Sequence, residues 1–137
     1  MAGGKKHGKG VFIYPNGVYY EGDWVFDQMD GIGSLFYPSG KPYYRGEWSQ
    51  GTFHGRGVFY NEDAESVLGE FNFRDFSQIG KKWRVFEGNF KRDMKDGEGV
   101  LTLSNGEFLQ GEWREDVVEG RGSFHTLNNE TVRGIWI

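Results

Sequence analysis

The stretch Tyr20-Glu21-Gly22-Asp23-Trp24, followed by Gly31-Ile32-Gly33, decides the fold of this 137-residue chain, because the same pattern recurs along it. The central glycines of the recurring segments are Gly22, Gly46, Gly69, Gly88, Gly111 and Gly134. A second glycine follows each of the first five by eleven residues. Chance does not produce five equal spacings, so the chain is a repeat protein.

Each unit has the pattern of a β-hairpin. In the quoted stretch Tyr20, Gly22 and Trp24 alternate with acidic residues, so the rings share one face of a strand and the acids face the other way. A second strand begins at each Gly-x-Gly. The turns within the hairpins are marked by Asp27, Gly51, Asp93 and Asp116. Pro-Asn-Gly and related tripeptides separate the units, and no stretch has the period of a helix.

The predicted fold is therefore all-β: an elongated single-layer antiparallel β-meander of about six tandem hairpins, or about twelve strands. One domain, 1–137, would comprise a half unit 1–19, repeats 20–43, 44–66, 67–85, 86–108 and 109–131, and a half unit 132–137. Unit 67–85 is four residues short, and Gln78 replaces its first Gly-x-Gly glycine, so we expect a local change of shape there. Because a half unit lies at each end, we also expect homodimerisation or end-to-end association.

The glycines lie between two aromatic columns on the same strand face. An interior glycine weakens a strand unless something approaches closely there, so we expect rings from neighbouring strands to cover the bare backbone. Apolar strips often mark binding surfaces, and the aromatic columns are therefore a candidate partner-binding groove. Its residues are Tyr20, Trp24, Tyr44, Trp48, Phe71, Phe86, Phe90 and Trp113. The alternative interpretation is that these rings pack only on one another.

This Tyr-x-Gly-x-Trp and Gly-x-Gly pattern, repeated at about 23 residues, resembles the MORN (membrane occupation and recognition nexus) repeat family. The resemblance covers about residues 9–136 and is clearest in Tyr20-Glu21-Gly22-Asp23-Trp24 with His54-Gly55-Arg56-Gly57. It implies a non-catalytic module of a cytoskeletal, ciliary or flagellar, or membrane-junction assembly. It also implies that the partner is a helical or extended protein segment, a second copy of the chain, or a phosphoinositide lipid.

A basic segment at residues 81–95 supports the lipid hypothesis. It carries six basic residues against two acidic ones in a chain whose net charge is −4. The six are Lys81, Lys82, Arg84, Lys91, Arg92 and Lys95. Each could contribute about 1 kcal/mol at an anionic membrane surface. The alternatives are an acidic partner segment and ordinary solvated charge.

Composition excludes several other classes. Without cysteine the chain cannot be a zinc ribbon, a disulfide scaffold or a cysteine-nucleophile enzyme. Its negative net charge argues against binding nucleic acid. No apolar run has the length of a membrane span, and no signal-peptide core is present. We therefore expect an intracellular, cytoplasmic protein associated with the cytoskeleton or a membrane.

Catalysis, a metal site and a cofactor are not predicted. Residues 3–10 approach a phosphate-binding loop, but Gly10 replaces the required Ser or Thr and no strand precedes the segment. His7 and His54 share one repeat position, where other units carry acids, which is typical of a turn. The acidic column of the reverse strand face favours a solvated ladder over paired catalytic carboxylates. Its acids are Asp23, Glu47, Glu70 and Glu112.

Overall fold

The computed structural model describes residues 7–67, 69–73 and 79–136. Within these residues ten strands form one open antiparallel sheet in chain order. The strands are β1 Gly8–Ile13, β2 Tyr19–Val25, β3 Gln28–Phe36, β4 Pro42–Ser49, β5 Thr52–Tyr60, β6 Trp83–Lys91, β7 Met94–Leu103, β8 Phe108–Arg114, β9 Val117–His125 and β10 Thr131–Trp136. The described part of the chain contains no helix, and therefore no helix there that is long and apolar enough to cross a membrane. The predicted all-β antiparallel meander is confirmed.

The irregular unit explains why there are ten strands and not about twelve. None of the described residues between 61 and 82 forms a strand, and β5 pairs directly with β6. The shortened unit lacks the turn that would return the chain as a hairpin. Residues 67 and 69–71, where the repeat predicts a first strand, form none, and the expected change of shape is confirmed in these described residues. Gln78, on which part of that expectation rested, lies outside the described residues.

The described residues between 61 and 82 instead contact the C-terminal hairpins. The Phe71 N–H donates to Glu107 Oε1 (2.7 Å), Asn105 Nδ2 donates to the Gly69 carbonyl (2.9 Å), and the Phe73 ring stacks on Phe124 at 5.1 Å. Phe71 is therefore buried in the core, although it reaches the core from a connection and not from a strand.

One glycine from each of the ten strands pairs with a glycine of the neighbouring strand. Together these glycines form a continuous row across the sheet, here called the glycine row. Its members are Gly10, Gly22, Gly33, Gly46, Gly57, Gly88, Gly99, Gly111, Gly122 and Gly134. A Cβ placed on Gly33, Gly57 or Gly99 would lie 2.2 Å from the side chain of Tyr20, Tyr44 or Phe86, respectively, and 2.2–2.4 Å from its ring. The expectation that rings cover bare backbone is confirmed on these strands.

The core is a row of packed aromatic rings on the face of the sheet where Tyr20, Tyr44 and Phe86 cover the glycine row. Tyr20 meets Trp24 and Trp48 edge-to-face at 5.3 and 5.0 Å, and Tyr44 stacks on Phe53 at 3.9 Å. Trp48 Nε1 donates to the carbonyl of Gly33 (3.1 Å), which joins a ring of one unit to the glycine row of the preceding one. Each unit thus buries its rings against its neighbours, as in other solenoids.

The hairpin turns have two residues, both with positive φ between 46° and 82°. They are Phe26-Asp27, Gln50-Gly51, Arg92-Asp93 and Glu115-Asp116, which confirms the four predicted turn positions and gives the twist of a type I′ hairpin. The aspartates also contact the preceding hairpin: Asp93 Oδ1 accepts the Phe53 N–H (2.7 Å), and the Asp93 N–H donates to the Phe53 carbonyl (3.0 Å). Asp116 makes the same two bonds to Lys95.

We expect Asp93→Gly to lower the free energy of unfolding by about 1 kcal/mol. Glycine keeps the positive φ and the backbone N–H bond, as Gly51 does with the Met29 carbonyl, but it removes the carboxylate that accepts the Phe53 N–H. A bond to a charged group is worth about 1.5–3 kcal/mol, partly offset by glycine's ease at this φ. Chemical denaturation is the measurement. Asp93→Asn, which retains an acceptor, is the matched control, and an equal loss in both variants would contradict the assignment.

Candidate protein-binding surface

The face opposite the rings carries a trough along the glycine row. Side chains alternate across a strand, so the two neighbours of each row glycine both point to this reverse face and form two walls. One wall comprises Val11, Glu21, Ser34, Arg45, Val58, Glu87, Val100, Gln110, Ser123 and Arg133. The other comprises Lys9, Asp23, Ile32, Glu47, Arg56, Asn89, Glu98, Glu112, Arg121 and Ile135. Row glycines form the floor, and we call this feature the glycine trough.

Two depressions lie in the glycine trough. One, of about 610 Å³, spans β1–β3 with Gly10, Gly22 and Gly33 among its lining residues. The other, of about 540 Å³, is lined mainly by β6–β10, with Gly99, Gly111 and Gly122 among its residues. Both are open to solvent along their length, so they suit an elongated ligand better than a small molecule.

The N-terminal end of the trough carries exposed aliphatic side chains beside Glu21 and the Lys9–Asp23 ion pair. Val11 and Ile32 line its depression and are 58% and 59% exposed. Ile13, on the same strand face as Val11, is 69% exposed. Clustered exposed aliphatic side chains of this kind are typical of an interaction surface.

The rest of the trough, over β4–β10, is charged. Its basic and acidic side chains are Arg45, Glu47, Arg56, Glu87, Glu98, Glu112, Arg121 and Arg133. Among these described residues no two form an ion pair; the described part of the chain has ion pairs at Lys9–Asp23 and Lys95–Asp116. Glu98 lies directly opposite Glu112 across β7 and β8, an arrangement of like charges that costs stability.

Two acids of the predicted reverse-face acidic column accept hydrogen bonds from the backbone of the next strand. Asp23 Oδ2 accepts the Ile32 N–H (2.9 Å), and Glu47 Oε2 accepts the Arg56 N–H (2.5 Å). The preceding Gly31 has φ +105° and fits against the Asp23 side chain, which is why the pattern needs the first glycine of Gly-x-Gly. Hydrogen bonds from the Lys9 ammonium and the Ile32 N–H lower the pKa of Asp23. The reverse-face placement of Asp23, Glu47 and Glu112 is confirmed, but Glu70 lies in the 61–82 connection.

The residues of the predicted aromatic groove lie on the other side of the sheet, in the core. All eight are less than 8% exposed: Tyr20, Trp24, Tyr44, Trp48, Phe71, Phe86, Phe90 and Trp113. A partner would have to displace neighbouring rings to reach them. Their contact with a partner stays a prediction, and their burial favours the alternative that the rings pack on one another.

The basic segment is spread over both ends of β6. Lys81 and Arg84 are exposed and Lys82 is half-buried at one end, whereas Lys91 and Arg92 are exposed at the other, about 23 Å from Arg84 at strand spacing. The structure therefore does not bring the six residues together in one patch.

Lys95, the sixth residue of that segment, lies on the ring side of the sheet. Its side chain is 16% exposed, and Nζ lies 5.5–5.9 Å from the centres of the Phe59, Trp83, Phe86 and Trp113 rings. It pairs with Phe90 as Met29, Phe53 and Val118 pair with the corresponding tryptophans of other units. Aligning Lys95 with Met29, Phe53 and Val118 in the repeats would have placed it in the core from the sequence alone.

The histidines and the phosphate-loop candidate do not assemble a reactive site. His54 is exposed, and His125 stacks on Phe108 with the Ser123 and Thr131 hydroxyls at its two nitrogens. Residues 1–6 of the loop candidate lie outside the described residues, and its remainder runs into β1. Within the described ranges no group of three or more His, Asp or Glu residues is placed to hold a metal ion.

Comparison with known proteins identifies the repeat. The family model described as MORN repeat matches residues 1–19, 20–41, 44–63, 86–108 and 110–127. Two similar proteins are alsin of Rattus norvegicus and alsin of Homo sapiens, each 30% identical over 102 residues, or 72% of this chain. The chain spans 5% of the length of these relatives. The family match covers all or part of every strand except β10 and omits most of the 61–82 connection, so the chain belongs to the MORN-repeat family.

Proposed function

We propose that this chain is a non-catalytic protein-interaction scaffold that binds a segment of a partner protein along the glycine trough. MORN repeats are generally protein- or membrane-interaction modules, and the family is non-catalytic. The observation that carries the proposal is the trough itself: two open depressions along the glycine row, with Val11 and Ile32 exposed in the N-terminal one. The family resemblance favours a cytoskeletal, ciliary or flagellar, or membrane-junction assembly as its setting.

In this proposal one face of the sheet stabilises the fold and the other binds the partner. Rings on one face fill the space above the glycines and hold the sheet in shape, while the reverse face stays free of bulky side chains along the row. A partner can therefore come close to the backbone without disturbing the core. Covering the exposed aliphatic side chains would contribute about 25 cal/mol for each Å² of apolar surface removed from water.

Site-specific photo-crosslinking tests the proposal. A benzophenone amino acid at Ser34, inside the trough, is expected to capture the partner from cell extract, because Ser34 lines the N-terminal depression. The same group at Phe26, a 68% exposed turn residue outside the lining, is the matched control. Equal capture from both positions, with both variants shown to be folded by thermal melting, would overturn the trough as the binding surface.

Anionic-membrane binding by the basic segment is the second candidate function. Lys81, Arg84, Lys91 and Arg92 are exposed and free to meet lipid headgroups. Co-sedimentation with phosphoinositide vesicles should then fall as salt is raised. It should also fall in Lys91→Gln/Arg92→Gln. Absence of binding at low salt would remove this candidate.

A further inference from the structure

We propose that the glycine trough selects an α-helix whose charges run acidic, basic, acidic along its bound face. This inference rests on the proposed function and names the partner of the same surface. Three zones of unpaired charge along the trough carry it.

The zones follow the strand order. Arg45 and Arg56 make β4–β5 basic, three glutamates make β6–β8 acidic, and Arg121 and Arg133 make β9–β10 basic. The glutamates are Glu87, Glu98 and Glu112. Glu47, the other acid near the first zone, is already bound to the Arg56 backbone N–H. None of these charges has an ion-pair partner among the described residues, although Arg45 lies over the Phe36 ring at 5.8 Å. Glu98 and Glu112 oppose each other directly. A ligand with the complementary order of charges would neutralise all three zones.

The backbone pairing of the sheet favours a helix as the bound partner segment. The trough runs across the strands, and every strand from β2 to β9 is paired on both sides. An extended segment lying there would find no free N–H or carbonyl to pair with, and unpaired backbone groups are costly to bury. A helix satisfies its backbone internally and presents only side chains.

The spacing of the zones sets the spacing of the charges. Neighbouring strands lie about 4.8 Å apart, and each basic zone is centred two and a half strands from the acidic centre at β7, or about 12 Å. A helix rises about 1.5 Å per residue. The ligand therefore carries Lys or Arg at its centre and Asp or Glu about eight residues to each side.

Two designed helical peptides of identical composition provide the test. One has the acidic–basic–acidic order and the other the basic–acidic–basic order, with the same apolar residues on the bound face. Fluorescence anisotropy is expected to give the first peptide an affinity about tenfold higher, which corresponds to about 1.4 kcal/mol. In Glu98→Lys/Glu112→Lys the preference should fall severalfold, because the central zone then repels a basic centre while the two basic zones still favour acidic ends. Both positions are exposed, and thermal melting checks the fold. Glu98→Gln/Glu112→Gln serves if the lysine variant unfolds, and it should reduce the preference less, because Glu87 and both basic zones remain.

Each outcome decides between the two proposals. Equal affinity of both peptides for the wild-type chain overturns the charge order and leaves the trough as a binding surface. An unchanged preference in the glutamate variants also overturns it. If neither peptide binds while crosslinking from Ser34 captures a partner, the helix is overturned and the proposed function stands. Failure of both experiments overturns the proposed function as well.

Discussion

Gly99→Ala is expected to lower the free energy of unfolding by about 1–3 kcal/mol, the range for inserting a methyl group into a packed core. The added Cβ would lie 2.2 Å from Cζ and 2.5 Å from Cε2 of Phe86, far inside contact distance. Phe86 is fully buried and packs edge-to-face on Phe90 and Trp113, so its ring has no free space to enter. Urea denaturation of the variant and the wild-type chain is the measurement.

Gly111→Ala is the matched control, because Gly111 is Gly99's neighbour in the glycine row. Leu109 replaces the ring in that unit, and a Cβ on Gly111 would meet its nearest atoms at 3.5 Å, ordinary contact. We expect this variant to be unchanged or more stable by up to about 1 kcal/mol, since alanine restricts the unfolded chain. Equal destabilisation by both substitutions would show that the loss comes from glycine's backbone freedom and not from the ring.

Lys95→Met is expected to raise the free energy of unfolding by about 1 kcal/mol or more, since replacing buried charge by apolar groups often stabilises by about 1–4 kcal/mol. Burial lowers the pKa of Lys95, opposed by Asp116, whose Oδ1 lies 3.8 Å from Nζ. Desolvation therefore outweighs that ion pair, and the four rings lie at the outer limit of cation–π range. Methionine is the residue at the corresponding position of the first hairpin, Met29. Denaturant melts at neutral pH compare the two chains.

The stability gained in Lys95→Met should shrink as pH rises. The pKa of Lys95 is lower in the folded chain than its ordinary 10.5, so between the two values the unfolded chain holds more protons and stability rises with pH. The variant lacks this rise. Burial raises the pKa of Tyr20 to about 12 and raises that of Tyr44 as well, which destabilises both chains above pH 10 equally. A constant difference between the chains across this range would contradict the desolvation of Lys95.

The repeat predicted most of the fold because each local pattern has one geometric consequence. Eleven-residue glycine spacing aligns the row, alternation places Tyr20 and Trp24 on one face, and two-residue turns at Asp93 and Asp116 set the hairpins. The 61–82 connection escaped prediction because its contacts to Asn105, Glu107 and Phe124 join residues distant in sequence. Glu107, 1% exposed, has no signal in the sequence that distinguishes it from a solvated acid.

The aromatic residues, the most visible of the sequence, do not by themselves locate a binding surface. Aromatic density favours both a core and an exposed groove, and the sequence does not distinguish these for a single-layer sheet. Burial of the rings assigns them to the core. The trough was predictable only in part: the glycine column and the reverse-face acids were both evident, but its depth arises from the register that aligns ten glycines.

The double variant Phe86→Leu/Gly99→Ala tests most directly whether the rings occupy the space that the glycines leave. Leucine lacks the Cζ, Cε1 and Cε2 atoms that a Cβ on Gly99 would meet. With equilibrium unfolding of both single variants and the double variant, we predict that the double variant loses less stability than the sum of the single losses, by about 1 kcal/mol or more. Losses that simply add would contradict the account.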